Sequence, residues 1–437
     1  MSDEVGYDAH FEEWHMYLRK LDLTDFRGFS SLRWELKEGE EAGWHVLIGP
    51  NGAGKSGFLR SAAIAFTGDI EFTASRRTAR DFIRKAEGVE KAIIQVEVAP
   101  TIGWDKSGRQ GPMSSKPVKG SITLHSDGAV KSSPTKNVNF WGEGQGWFSA
   151  AFGPMRRFTG GNPENVRLFA GFPRLARHLS IFDEGVALTE ALEWLQKLRF
   201  RQLEKVSSDS AETGLLGKVR QFVNQSGFLP HGAKLTEVTS DGVKFEDGNG
   251  VEIPIVEMSD GYRAVLSMTF ELLRLMALRY DEDSLFSEDA STILAPGVVL
   301  IDEIDAHLHP SWQREIGPWL TKLFPAIQFI VTTHSPYVCQ TALKGSVWTL
   351  PAPGSGEQVH RIAGEQLTRI LYGDVLHVLN SDAFGGLPGR SEDAVHMLDR
   401  LAQLNRKLDR GTLSAPEVSE RADLKQTLGP VVEGDEQ

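Results

Sequence analysis

The run Gly49-Pro-Asn-Gly-Ala-Gly-Lys-Ser56 constrains this chain more tightly than any other segment. It fits G-x-x-x-x-G-K-[ST]. A short apolar run, Trp44-His-Val-Leu-Ile48, precedes it and reads as a buried strand, and residues 55–67 after it read as a helix. Strand, glycine loop and helix are the context in which this pattern cradles phosphate. Glycines let successive backbone N–H groups converge on phosphate oxygens, and the helix N-terminus adds partial positive charge. In such a loop Gly49, Asn51, Gly52 and Gly54 shape the cradle. Lys55 reaches the β- and γ-phosphates of ATP, and Ser56 holds Mg2+. A chance glycine-rich turn would need neither flank.

Three further runs carry chemistry. In Val298-Val-Leu-Ile-Asp-Glu303 an apolar strand delivers two carboxylates to its carboxyl end, the edge where ligands bind in parallel α/β sheets. Asp302 suits the Mg2+ sphere, and Glu303 suits orienting or deprotonating a water. Ile330-Val-Thr-Thr-His-Ser-Pro336 ends another strand in a polar cluster, which places His334 to contact a γ-phosphate. Glu257-Met-Ser-Asp-Gly-Tyr-Arg263 opens an apolar helix at 262–280. Its Ser259 and Gly261 could simply cap that helix or could present donors to a phosphate, and the local residues do not choose.

The order of these runs resembles ABC-type ATPases: phosphate loop, Ser-x-Gly helix start, hydrophobic-Asp-Glu, then histidine. Asp25-Phe-Arg-Gly-Phe29 ahead of the loop, and Ile301-Asp-Glu-Ile-Asp-Ala-His-Leu-His-Pro310, are similar to the RecF/OLD-like branch. Phe152-Gly-Pro-Met-Arg-Arg-Phe158 resembles a segment of its anti-phage defence subgroup, near the Septu ATPase subunit PtuA. The likeness spans residues 16–350. It implies two heads sandwiching two ATP molecules. One head brings Lys55, Ser56, Asp302, Glu303 and His334, and the other brings the Ser259-Asp260-Gly261 helix start. It also implies Asp305 at the dimer seam and Arg27 against the nucleotide. Transporter-type heads carry Ser-Gly-Gly where this chain has Ser259-Asp260-Gly261, which points away from transport. For the glutamine that senses Mg2+ in the class, the candidates are Gln95 and the Gly153–Arg157 loop. His307 and His309 read as part of the seam segment rather than as metal ligands.

The expected architecture is α/β, an ABC-type head on a mixed, largely parallel sheet with a β-rich insertion and a helical lobe. Residues 16–183 would form the nucleotide-binding lobe and 184–256 the helical lobe with connecting strands. Residues 257–350 would complete the core, and 351–437 would add a mostly helical extension. Residues 391–410 pattern as an amphipathic helix that either docks a partner or packs on its own domain, and 415–428 as another helix. A single cysteine, Cys339, excludes a disulfide framework within the chain and fits a reducing cytoplasm. The N-terminus lacks the basic and apolar regions of a signal peptide, and no apolar run is long enough to span a membrane.

A net charge of −12 argues against bulk nucleic-acid binding. A local basic patch stays open, through the loops at 102–136 (Lys106, Arg109, Lys116, Lys119, Lys131, Lys136) and Arg156, Arg157, Arg167, Arg174 and Arg177. Three roles are therefore in play. One is a slow ATPase forming an ATP-dependent homodimer or higher oligomer that controls a separate effector such as a nuclease. The second is a RecF-like clamp on DNA, and the third a transporter subunit. Asp374, Asp382, Asp393 and Asp399 do not form the Glu plus Asp-x-Asp set of OLD-type nucleases, so effector chemistry is expected on a partner.

Overall fold

The structure, a computed structural model, describes residues 17–99, 117–133, 141, 148–158, 171–204, 214–225, 227, 229, 232–381, 384 and 391–428. Two sheets enclose one helix. The antiparallel sheet, in the order β2-β1-β4-β5-β6, contains β1 (Tyr17–Phe26), β2 (Phe29–Glu35), β4 (Lys91–Ala99), β5 (Val118–His125) and β6 (Val130–Ser133). The central sheet runs β14-β13-β3-β12-β11-β7. Its parallel strands are β3 (Gly43–Ile48), β7 (Ser149–Phe152), β11 (Gly297–Ile301), β12 (Ile327–Thr332) and β13 (Gly345–Thr349), and β14 (His360–Arg361) is an antiparallel edge. Helix α1 (Lys55–Thr67) is buried between the two sheets.

Side-chain periodicity explains both layers. β3, β11 and β12 are buried along their whole length, as parallel strands covered on both faces require. In the antiparallel sheet the period of two puts Leu21, Leu23, Ile94, Val96, Ile122 and Leu124 in the core. The alternate residues Lys20, Asp22, Gln95 and Glu97 line the outer face. The β-rich stretch after α1 thus continues the sheet begun by β1 and β2. Gln328, buried inside β12, ties the layers together: its amide accepts from Leu18 N at 2.8 Å and donates to Leu18 O at 3.0 Å.

The connections supply the helices. Short α2 (Asp69–Ala74) follows α1, and α3 (Pro173–Phe182) lies against α1 and β7. The expected helix pair is α4 (Thr189–Glu204) and α5 (Leu215–Asn224). Next comes a small sheet of β8 (Lys234–Thr239), β9 (Gly242–Glu246) and β10 (Glu252–Pro254). The turn between its last two strands is held by Asp247, whose carboxylate accepts from Asn249 N and Val251 N, each at 2.9 Å. The apolar α6 (Asp260–Arg279) and short α7 (Glu282–Leu285) lead into β11. Helices α8 (Pro310–Leu323), α9 (Pro336–Gln340) and α10 (Gly364–Tyr372) complete a compact unit ending at Gly373. β14 and α10 therefore belong with the core.

The second unit, from Asp374 on, contains α11 (Val375–Leu379), α12 (Glu392–Asp409) and α13 (Ala415–Leu428). α12 and α13 pack as a hairpin pinned by a two-pronged Arg400–Glu420 pair at 2.7 and 2.8 Å. Of the apolar stripe expected on α12, Leu401 and Leu404 are buried, whereas Val395 and Leu408 are exposed. No described helix is long and apolar enough to cross a membrane.

A run of aromatic rings links α5 to the central sheet. Phe222 meets Phe324 at 5.8 Å, Phe324 meets Phe329 at 6.3 Å, and Phe329 meets Trp44 at 5.7 Å. Phe324→Ala empties the middle of that run and should cost about 3–5 kcal/mol, read as a lower urea midpoint. In β3, the buried His45 bridges Ser346 Oγ and Glu41 O, each at 2.7 Å. The carbonyl contact requires Nε2–H, so Nδ1 accepts from the serine and the ring is neutral. Burial pushes its pKa down to about 4, against ~6.5 when unfolded. Stability carried by the neutral ring is complete above pH ~6.5 and is lost as the pH falls towards 4, by roughly 3 kcal/mol. Urea midpoints at pH 7 and 4.5 check this, and an unchanged midpoint contradicts it.

Candidate nucleotide site

β3 ends at Ile48 and the chain turns through residues 49–54 into α1. Gly49, Gly52 and Gly54 have φ of 148°, 81° and 93°, values an L side chain rarely adopts. Space is equally restrictive. A Cβ on Gly49 would lie 2.6 Å from Leu350 O, and one on Gly54 would lie 2.4 Å from the Phe29 ring. Phe29 belongs to the Asp25–Phe29 run, so that run packs directly on the loop. Gly54 leaves the N-terminus of α1 without a side-chain cap, so the first N–H groups of the helix are available to an anion. Asn51 and Gly52 are exposed at the rim, and Ser56 is half-buried in the first turn. Lys55 is buried, and its ammonium donates to Gly49 O at 2.8 Å and Pro50 O at 3.2 Å. Burial lowers its pKa, while Asp302, Glu303 and Asp305 oppose the shift.

The acids come from the end of β11. Asp302 is buried and accepts from Thr332 Oγ1 at 2.6 Å. The same hydroxyl oxygen accepts from Glu303 N at 2.8 Å. Because β11 and β12 are parallel with Ile301 opposite Val331, the next residue of β12 lands beside the acids. Glu303 is exposed in a left-handed conformation, φ 48°. Asp305 accepts from Thr333 Oγ1 at 2.5 Å, and that hydroxyl also accepts from Ser335 N at 2.9 Å. His334 projects outward between buried Thr333 and Ser335. Desolvation and then Lys55 lower its pKa, opposed by Asp305, Glu303 and Asp302.

Lys55, Asp302, Glu303, Asp305 and His334 therefore form one cluster. Arg27, Ser259 and Gly261 stand outside it. Arg27 stacks over Phe82 at 5.0 Å and donates to Asp81 O at 3.4 Å, flanking the first turn of α1 at Gly57. Ser259 starts α6, exposed, and its hydroxyl does not cap the helix. It lines a groove of about 330 Å³ with Asp247, Asn249, Met258 and Tyr262, to which neither the phosphate loop nor the acids contribute. Gly261 backs onto the acid turn: a Cβ there would lie 3.1 Å from His307 O. His309 caps α8 by accepting from Ser311 N at 3.3 Å, a structural role.

Several expectations need correction. Gln95 lies on the outer face of the antiparallel sheet, opposite the face covering α1, so it cannot sense an ion at the loop. Among the described residues, the basic patch loses three of its four arginines. Arg156 is buried, Arg174 pairs with Glu71 at 2.9 Å, and Arg177 is half-buried over the Phe148 ring at 5.7 Å. Lys119 pairs with Glu97 at 3.4 Å. Arg157 and Lys131 are exposed, whereas Lys106, Arg109, Lys116, Lys136, Arg167 and Asp382 lie outside the described residues. Two supporting residues went unread: Thr332 and Thr333, whose signal was a hydroxyl pair closing a strand beside two acids.

A phosphate loop and paired acids at the carboxyl edge of a parallel sheet, with a polar strand end between them, define a P-loop ATPase head. Residues 124–340 match the family described as "AAA domain, putative AbiEii toxin, Type IV TA system", and residues 16–91 match one described as "AAA domain". The chain is similar to the Retron Ec83 probable ATPase of Escherichia coli, 42% identical over 104 residues, 24% of this chain and 18% of that protein. It is similar to Septu protein PtuA of Bacillus mycoides, 24% identical over 80% of this chain and 42% of that protein. With the Retron Vc95 probable ATPase of Vibrio cholerae it shares 25% identity over 74% of this chain and 71% of that protein. The chain thus spans 18% and 42% of the length of the first two relatives.

Thr332→Val removes the donor to Asp302 and the acceptor of Glu303 N together. Each orphaned polar group costs roughly 1–3 kcal/mol. A urea midpoint lowered accordingly, and recovered in Thr332→Ser, is the expected result.

Proposed function

We propose that this chain binds and slowly hydrolyses ATP as the switch subunit of an anti-phage defence complex. Two copies close around ATP, and a separate effector such as a nuclease carries out the toxic chemistry. One observation carries the dimer: the Ser259-Asp260-Gly261 helix start opens on a groove that the chain's own phosphate loop and acids do not line. A second copy can bring that helix start to a phosphate bound on the first. The relatives named as Septu and retron ATPases support the defence setting.

In this reading the loop N–H groups and Lys55 hold the β- and γ-phosphates. Ser56 and Asp302 would hold Mg2+. The donor set fits, since Asp302 spends one oxygen on Thr332 and Ser56 sits in the first turn of α1. The ion would supply neutralisation of phosphate charge. Glu303, exposed and fixed by its backbone bond to Thr332, orients the attacking water and accepts its proton. His334 offers a ring N–H to the γ-phosphate, and burial beside Lys55 disfavours its charged form. Ser259 and Gly261 of the second copy cap the same phosphate, Asp305 faces the seam, and Arg27 flanks the nucleotide. A direct DNA clamp is disfavoured, because Arg156, Arg174 and Arg177 are committed inside the fold. The Ser-Asp-Gly helix start disfavours a transporter role.

Glu303→Gln should lower turnover on the order of 10²-fold or more while ATP still binds. With saturating Mg-ATP it should elute as a dimer, measured by light scattering. A monomer under those conditions rules out the shared site. Mixing Lys55→Ala with Ser259→Arg, each inactive alone, should recover part of the activity, because one hybrid site then carries neither change.

A further inference from the structure

Behind the acid cluster lies an arginine whose hydrogen bonds among the described residues include no carboxylate. Arg156 is 5% exposed, and among the described residues its guanidinium donates only to main-chain carbonyls. One terminal nitrogen donates to Gly153 O at 3.1 Å and Asp302 O at 2.9 Å. The other reaches Glu303 O at 3.0 Å, Ile304 O at 3.4 Å and Ala306 O at 3.4 Å. These four carbonyls from Asp302 to Ala306 belong to the turn that presents Glu303 and Asp305. That turn includes Glu303 in its left-handed conformation, which costs free energy unless the surroundings enforce it. A rigid, planar fork satisfies converging carbonyls in a way that a single ammonium cannot.

The loop bearing Arg156 is gripped at both ends. Gly153 sits so close to α3 that a Cβ would lie 2.2 Å from Ser180 O. At the far end, Leu188 N, just ahead of α4, donates to Arg157 O at 2.8 Å. A main-chain bond at the entry of the helical lobe and the Arg156 guanidinium therefore connect that lobe, through residues 153–157, to the carbonyls of the acid turn.

We infer that Arg156 is a positioning residue for hydrolysis: it holds Glu303 in its working conformation and links the helical lobe to the acid turn. The inference rests on the ATPase reading above. It separates two quantities that a purely structural arginine would change together. Among the described residues, none of the Arg156 hydrogen bonds reaches the phosphate loop, so ATP affinity is expected to stay within about threefold when it is altered. A small displacement of the catalytic carboxylate costs on the order of 10²-fold in rate.

The test compares wild type, Glu303→Gln, Arg156→Lys and Arg156→Met in the full chain. Mg-ATP affinity and binding-site concentration come from titration, and kcat is expressed per binding-competent site, so unfolded protein does not count. The expected result is a kcat lowered on the order of 10²-fold in both Arg156 variants, with Kd and KM nearly unchanged. Arg156→Lys keeps the charge and the aliphatic stem, so it serves if the methionine variant does not fold. If wild type turns over, Glu303→Gln does not, and Arg156→Lys matches wild type per site, the positioning role is overturned while the ATPase reading stands. Wild type with no turnover above Glu303→Gln overturns both.

Discussion

The hydroxyl of Thr332 is the joint on which the site depends. It donates to Asp302 and accepts from Glu303 N, so a single atom on β12 orders both acids at the end of β11. That is available only because the two strands run parallel, with Ile301 opposite Val331, in the buried central sheet. The next hydroxyl, Thr333, does the same for Asp305. Chemistry is thus anchored to the most buried part of the fold rather than to its loops, and the exposed carboxylate of Glu303 and ring of His334 project from a rigid base.

Burial weakens the hold of Lys55 on its proton, and three carboxylates oppose that shift. The same carboxylates act on His334 against desolvation and the lysine. Lys55 brings an ammonium and His334 an imidazole whose charged form burial disfavours, and both belong to the same cluster. A phosphate chain suits that pairing better than an isolated carboxylate would, because it offers several oxygens at different depths.

Much of this was legible in the sequence. Local patterns marked β3, α1, β11, β12 and the α4–α5 pair, since continuous apolar runs and glycine punctuation act over a few residues. The cluster of Lys55, Asp302, Glu303 and His334 was legible because a parallel sheet collects the carboxyl ends of its strands on one edge. Arg156 was misread because nothing local distinguishes an arginine facing water from one facing carbonyls about 150 residues away. Gln95 was misplaced for a related reason: alternation says that a strand has two faces but not which of them covers α1. The roles of Thr332 and Thr333 needed the register between strands, which no single segment encodes.

Lys55 gives the phosphate loop a further property. Its ammonium already binds the carbonyls of Gly49 and Pro50, and Phe29 wedges against Gly54. The loop's shape is therefore maintained by the protein's own groups, and the ordering entropy is spent when the chain folds rather than when an anion arrives. Under the proposed function, arrival of a phosphate would be an exchange of partners in a finished mould, in which the lysine's donors would turn from carbonyl oxygens to phosphate oxygens. Such a loop would discriminate by fit and charge.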